Sequence, residues 1–489
     1  MTCDFPERNE VKPGIRPASR PIDWRDFRDH LATADQYGHR QWLFPKKPRG
    51  RFYRYRTWVS WLLLAVMFIG PFVRINGNPL LLFNIVERRF SIFGQIFWPH
   101  DTAIFAVALL LFGTSIFIFT ASFGRLWCGW TCPQTLLMEM VFRKIEYFIE
   151  GDAAAQRALH AAPWTRGKVT KKAAKHFIFF ALSFLIGNTL LSYIIGIEQL
   201  FQIMTDDPRK HVVGLAFMLL FTAVFYLIFA RFREQACTFI CPYGRLQSTV
   251  VDENTLVVAY DYRRGETRGP LRRQQTIEQR HALGVGDCVN CFQCVAVCPT
   301  GIDIRNGTQM ECINCTACID ACDAVMDKIG RPRGLIRYAS LNSIEQRKPF
   351  RFTPRLAGYT SVLLALAAVL VFLLATRSPV ESVLLRAPGA LFQQTADGKL
   401  QNLYLLKVVN KTTHDIPLTL KLENLAGHIQ AMGRGDLTVP RANLAQTSVL
   451  VQLGPEQLIG GKVRLVVGIY SNGKRIETLE TTFIGPRNP

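Results

Sequence analysis

The sequence predicts a membrane α-helical fold with five transmembrane helices, a small inserted α+β domain and a C-terminal β-sandwich. Three observations predict it. Five apolar segments reach about 20 residues, the length a hydrocarbon core demands. Twelve of the thirteen cysteines crowd between residues 128 and 322. Beyond residue 389, apolar and polar residues alternate with period two.

The five apolar segments are 57–76, 103–123, 177–197, 212–231 and 356–376. Half of the chain is hydrophobic and its mean hydropathy is positive, which suits a membrane protein. The net charge of +21 could serve nucleic acid, but the basic residues cluster beside apolar runs. Anionic lipid and membrane topology explain that placement, so nucleic acid is not an expected partner. The first 56 residues form a polar basic tail with thirteen Lys or Arg, too long and polar for a secretory leader. The loops 78–102 and 198–211 carry two cations each, whereas the loop 124–176 carries nine. The positive-inside rule then puts the N-terminus in the cytoplasm. Residues 232–355 are expected in the cytoplasm and 377–489 in a periplasm. The stretch 80–100 is apolar but broken by Glu87, Arg88 and Arg89. It is expected as an interfacial helix rather than a sixth span.

Cys3 stands alone in the polar tail and is expected as a free surface thiol. Two stretches, "CVNCFQCVAVCP" (288–299) and "CINCTACIDACD" (312–323), share the spacing C-x2-C-x2-C-x3-C. Ferredoxins with two [4Fe–4S] clusters use this run, and the fourth cysteine of each run ligates the other cluster. By that rule Cys288, Cys291, Cys294 and Cys322 hold one cluster, and Cys312, Cys315, Cys318 and Cys298 the other. Structural zinc also uses paired C-x2-C, but two complete four-cysteine runs argue against it. The fold class sharpens to an inserted α+β bacterial-type two-cluster ferredoxin domain, at about 280–330. The second run ends Cys322-Asp323 instead of Cys-Pro, which adds a negative charge. No glycine loop for flavin or nicotinamide is visible.

The stretch "LWCGWTCPQ" (126–134) places Cys128 and Cys132 just before Pro133. It returns 109 residues later as "ACTFICPYG" (236–244), with Cys237, Cys241 and Pro242. Both pairs follow an inward-running span, so the region 57–231 reads as two duplicated hairpins, each ending in C-x3-C-P. Proline suits the first turn of a new helix, and "QTLLMEMVFRKIEYF" continues with helical spacing. Spacing i, i+4 would put both thiols of a pair on one helix face. Four thiols could then converge under the membrane. Four roles compete for them: copper binding, a further iron–sulfur cluster, a redox dithiol, and packing.

Past the fifth span, "NLYLLKVVNKT", "DIPLTLKLE", "QTSVLVQL", "KVRLVVGIYS" and "KRIETLETTF" alternate apolar with polar residues between turn signals. About seven short strands fit an immunoglobulin-like β-sandwich. His414, His428 and Met432 are read as surface residues and the domain as a docking module for a partner.

Taken together, the twin C-x3-C-P motifs, the two-cluster run, the fifth span and the β-rich tail resemble the FixG/RdxA/CcoG family. Its members are membrane accessory proteins for assembly of cbb-type cytochrome c oxidase. The resemblance covers nearly the whole chain. NapH and NosR share only the cysteine motifs, and the fifth span and tail set FixG apart from NapH. The resemblance implies a multi-pass protein of the bacterial inner membrane that reduces Cu(II) to Cu(I) for the oxidase's copper centre. Cys128, Cys132, Cys237 and Cys241 would then be the copper or redox residues, beside two [4Fe–4S] clusters. Expected partners are the bilayer, oxidase-assembly and copper-handling proteins, and a second copy of the chain. Rival readings are a quinol-linked electron relay and a copper chaperone or scaffold without turnover.

Overall fold

A computed structural model describes residues 33–34, 37, 39–85, 89–98, 101–271, 276–347, 353–389, 391–395, 397–412, 414–432, 437–441, 443–458 and 460–486. Cys3, most of the basic tail, and Glu87 and Arg88 lie outside the described residues. Among the described residues, five helices are long and apolar enough to cross a membrane: Arg51–Phe72, Thr102–Phe123, Arg166–Ile195, Val212–Phe232 and Pro354–Ala375. Their apolar side chains largely face outward, as at Leu109, Phe112, Val213 and Val371. A surface this apolar calls for lipid.

The first span differs in register from the 57–76 expected. It starts at Arg51 and ends in a 3-10 turn, Gly70–Phe72, where Pro71 lacks the N–H needed to continue. Asn76 (φ 53°) and Gly77 (φ 80°) then turn the chain into a short hairpin of Arg74–Ile75 with Asn78–Pro79. Paired positive φ at Asn-Gly is the type I′ turn that tight hairpins favour.

The stretch 80–100 is not an interfacial helix. Leu81–Asn84, Arg89–Ile92 and Gln95–Phe97 form a three-stranded antiparallel sheet. Phe93 (φ 51°) and Gly94 (φ 75°) make a second turn of the same kind. The physical reason is period-two burial: Leu82 and Asn84 face inward, whereas Leu81 and Phe83 are more open.

The described chain divides into two compact units. The first gathers Met1–Val66, Leu110–Asn188 and Val212–Leu366. It contains both cysteine runs, framed by an antiparallel pair, Val257–Tyr260 with Ile336–Ala339. This pair extends the inserted domain beyond the 280–330 read from the sequence. Its core packs Val258, Ile302, Ile304, Ile319, Met326 and Leu335 around the cysteines. Asp320, on the helix Ala317–Lys328, accepts from the Phe52 and Tyr53 N–H groups at 3.1 and 2.8 Å. It thereby caps the start of the first span from a distant part of the chain. Gly50 is required there, because a Cβ would overlap the Asp320 carboxylate.

The second unit gathers Met67–Leu109, Thr189–His211 and Ala367–Pro489. Its sandwich pairs Gly427–Met432, Leu444–Leu453, Leu400–Asn410 and Val380–Arg386 in that order in one sheet. The other sheet runs Leu437–Val439, Ile416–Leu422, Lys462–Ser471 and Lys474–Ile484. Alternate residues such as Tyr404, Val449, Val451, Leu465, Ile469 and Phe483 are fully buried between the sheets. The first strand begins at Val380, earlier than the alternation expected from 389, and Gly427–Met432 was not foreseen. Asp101 is buried and holds Arg377 and Lys411 at 2.7 Å each.

Candidate functional site

Each C-x3-C-P motif folds as a corner between two helices. Cys128 lies in the short helix Leu126–Trp130, and Cys132 caps the next helix, Pro133–Leu137. In the repeat, Cys237 lies in the π-helical turn Ala236–Ile240, and Cys241 caps Pro242–Val250. The expectation of one continuous helix face is therefore corrected. A residue before proline is driven out of the helical region, and Cys132 (ψ 123°) and Cys241 (ψ 115°) obey this. Both prolines occupy the first helical turn, as the sequence indicated.

The corners bring all four thiols into mutual electrostatic reach. Burial pushes the Cys128 thiol up to about 12, with Arg125 opposing and Cys132, Cys237 and Cys241 adding to the rise. Burial likewise pushes Cys237 up to about 11, while Thr135 and Arg125 favour its thiolate. The two repeats interlock here. Thr135, three residues after Cys132, lies beside Cys237 of the other repeat. Arg125, three residues before Cys128, donates to the Gly244 carbonyl, three residues after Cys241, at 2.7 Å. A Cβ at Gly244 would overlap the Cys237 carbonyl. Tyr243 shares a 2.7 Å hydrogen bond with Thr120 close to the thiols.

A buried ionic lattice fixes the same junction. Arg233 grips Glu146 through both terminal nitrogens, at 3.1 and 2.8 Å. Lys175 reaches Glu146 and Glu150 at 3.3 and 3.1 Å. Arg143, 1% exposed, lies between Glu139 and Glu234. Charges this buried persist only when paired.

In the cysteine runs, Cys322 lies within electrostatic reach of Cys288, Cys291 and Cys294. Cys298 and Cys315 lie within reach of Cys312, and Cys294, Cys298, Cys312 and Cys315 within reach of Cys318. Both loops bend alike: Asn290 (φ 55°) and Phe292 (φ 57°) flank Cys291, while Asn314 (φ 52°) and Thr316 (φ 65°) flank Cys315. Such alternation of left-handed residues turns successive N–H groups inward as an anion-binding nest. N–H groups of Thr300, Gly301 and Ile302 point at Cys298, that of Asn314 at Cys312 and that of Ala317 at Cys315. Cys294, Cys298, Cys312, Cys315 and Cys318 line one cavity, walled by Val258, Ile302 and Ile313. The donor set, the nests and the cavity fit a sulfide-bearing cube held by four thiolates. Burial raises Cys294 and Cys312 to about 12 and Cys315 to about 11, so loading must displace protons.

The first twin motif packs directly on the second cysteine run. Cys128 lies against a cluster of Val297, Ile313, Cys315 and Ala317. A Cβ at Gly129 would overlap the Ile313 carbonyl. Buried Arg56 donates to the Gly129 carbonyl at 2.5 Å and favours the Cys315 thiolate. Arg125 donates to the Met310 carbonyl and favours the Cys312 thiolate. Asn314 donates to the Phe123 carbonyl at the end of the second span, at 3.3 Å. Sequence reasoning missed Arg56, Arg125, Gly129 and Gly244. The 109-residue repeat did not mark them, since Arg125 aligns with Glu234 and Gly244 with Thr135. Nothing marked Arg56 beyond its charge.

Among the described residues, no three thiol, imidazole or carboxylate groups converge on a single ion. A cube does not require that, because each thiolate caps a different iron. Asp323 accepts from the Gly334 N–H at 3.0 Å and pairs with Arg51 at 3.6 Å, so its charge is partly countered. His414, His428 and Met432 are exposed on the sandwich.

A family model described as "4Fe-4S dicluster domain" matches residues 232–341. One described as "4Fe-4S binding domain" matches 105–151, which includes Cys128 and Cys132. The "IG-like fold at C-terminal of FixG" matches 370–486. The "Nitrogen fixation protein FixG" of Rhizobium meliloti is 34% identical over 430 residues, which is 80% of each chain. "Protein RdxA" of Cereibacter sphaeroides is 36% identical over 435 residues, covering 85% of this chain and 89% of its own. "Protein RdxB" of the same organism is 34% identical over 394 residues, 78% of this chain and 81% of its own. An iron–sulfur dicluster domain, membrane-length helices and a FixG-type terminal domain thus occur in one chain, which belongs to the FixG/RdxA family of iron–sulfur redox proteins.

Proposed function

We propose that this protein reduces Cu(II) to Cu(I) at the four C-x3-C-P thiols and supplies copper for assembly of a cbb-type cytochrome c oxidase. The observation that carries the reading is the packing of Cys128 against the cluster of Val297, Ile313, Cys315 and Ala317. It sets the substrate thiols against the ligand loop of the ferredoxin domain. Cys288, Cys291, Cys294 and Cys322 would hold one [4Fe–4S] cluster, and Cys298, Cys312, Cys315 and Cys318 the other. When bound, the clusters supply the one-electron chemistry.

The chain's own residues do the rest. Thiolates favour Cu(I) over Cu(II), so Cys128, Cys132, Cys237 and Cys241 stabilise the reduced product. Arg125 and Thr135 offset part of the cost of ionising buried thiols. Each Cu(II) takes one electron, and the thiol protons leave as the metal binds. The N-terminus and ferredoxin domain would lie in the cytoplasm of a bacterial inner membrane and the sandwich in the periplasm, as the loop charges suggest.

The test uses the full chain, purified anaerobically and reduced chemically. Cu(II) reduction is followed optically. Replacing Cys128, Cys132, Cys237 and Cys241 together by Ser should abolish it and leave about eight irons per chain. Turnover that survives this change sinks the site assignment. A second reading rests on the 4Fe-4S family match over 105–151, which spans Cys128 and Cys132. The four thiols would then hold a further cluster in an electron relay, and the wild-type protein would carry about twelve irons.

A further inference from the structure

A cavity of about 730 Å³ opens at the Arg51 end of the first span. Lys47, Arg54 and Lys144 line it together with Tyr53, Trp58 and Trp61. We infer that this groove is a binding site for one acidic glycerophospholipid, with the lipid phosphate among the three cations and an acyl chain along the two tryptophans.

The argument begins with unbalanced charge. Among the described residues, no carboxylate pairs with the side chains of Lys47, Arg54 or Lys144, although ion pairs fill the neighbouring junction. The adjacent acid, Asp152, is occupied by the backbone N–H groups of Lys47 and Ala153. Burial holds the Lys144 ammonium below its ordinary range, and the nearby charges of Lys47 and Arg56 add to the lowering. A basic pocket beside a membrane helix recruits an anionic headgroup.

The apolar half of the groove selects a lipid over a free phosphate. Trp58 and Trp61 follow Arg54 along the same helix and are 74% and 63% exposed. Phe148, from the facing helix Arg143–Ile149, is 92% exposed. Tryptophan at the end of a span belongs at the headgroup level, with its ring against acyl chain. Lys144 also lies 5.7 Å from the Tyr53 ring, so its ammonium is oriented rather than free. A quinol is a poorer occupant. Among the described residues, no carboxylate or imidazole lines the groove to take its protons.

The full chain is reconstituted in nanodiscs of phosphatidylcholine doped with phosphatidylglycerol. Lipid retained on gentle release is counted by native mass spectrometry. Wild type should retain phosphatidylglycerol in preference to phosphatidylcholine. Each cation near a lipid surface is worth about fivefold, so Lys47→Gln, Arg54→Gln and Lys144→Gln together should lower that preference about a hundredfold. Neutralising exposed Arg157, Arg166 and Lys171 should not lower it. Equal retention of both lipids by wild type overturns the site, as does an equal loss from the control triple. Iron content reports folding. If the first triple loses its iron, Lys144→Gln alone decides: a preference kept within about threefold of wild type overturns the proposal.

Discussion

At the scale of residues, the site depends on small groups at close approaches. Gly129 lets the first twin motif lie on the Ile313 carbonyl, and Gly244 lets the second lie on the Cys237 carbonyl. Gly129→Ala should push the thiols away from the second cysteine run while sparing every ligand. A displacement on the order of 1 Å costs about a hundredfold in a positioned reaction. Cu(II) reduction should therefore fall by at least about tenfold, with iron content unchanged. An unaltered rate in stopped-flow assays would remove Gly129 from the account. The cysteines themselves were legible because the ferredoxin spacing is so specific. The asparagines of the two Cys-x-Asn-Cys steps were a weaker signal, since Asn tolerates left-handed backbone. Arg56 was counted only as a topological charge. Its real partner, the Gly129 carbonyl, is 73 residues away in sequence.

Among elements, the twin corners are held by ion pairs between segments. Glu146 meets Arg233 and Lys175, which come from three different helical segments. Glu146→Gln would take the two-pronged partner from buried Arg233 and leave Lys175 to Glu150 alone, and should cost about 3 kcal/mol. Denaturant unfolding of the detergent-solubilised protein measures it, and a loss under about 1 kcal/mol would contradict the lattice's structural role. Lys172 and Lys175 belong to the basic run used for topology, yet they pair with Glu150 at 2.8 and 3.1 Å. A charge pattern read for topology thus also records packing partners. The hairpin at 89–97 shows the opposite case. Its apolar richness suggested a helix, while its Phe-Gly turn and alternation settled on strands.

For the whole molecule, two predictions follow from units taken singly. In the second unit, burial alone would raise the Asp101 carboxyl, but hydrogen bonds from Arg377 and Lys411 outweigh it and hold the net value below 3.8. Protonation is then harder in the folded state. The stabilisation is complete well above pH 3.8 and is lost as pH falls through the lowered value. Thermal unfolding between about pH 5 and 3 should show that loss. Asp101→Asn should flatten this acid component and cost about 3 kcal/mol at neutral pH, because part-buried Arg377 loses its carboxylate and Lys411 is left with Glu381. An unchanged acid profile would show that Asp101 is not the group responsible. For topology, a periplasm-activated reporter fused after Pro489 should be active and one placed in the 124–176 loop silent. The reverse pattern would invert the proposed orientation.

The sequence by itself determined the five apolar helices, the eight-cysteine domain, the duplicated C-x3-C-P motif and the terminal sandwich. Each is written in local spacing: span length, C-x2-C periods, a 109-residue repeat and period-two alternation. Tertiary structure alone decided that Pro133 and Pro242 make corners rather than one helix face. It also decided that Asp320 caps the first span and that Cys128 packs against the cluster holding Cys315. Those contacts join distant parts of the chain, Phe52 and Asp320 lying 268 positions apart. Local spacing records no such pairing, because which distant loops meet depends on how the elements pack and not on the period of any one of them.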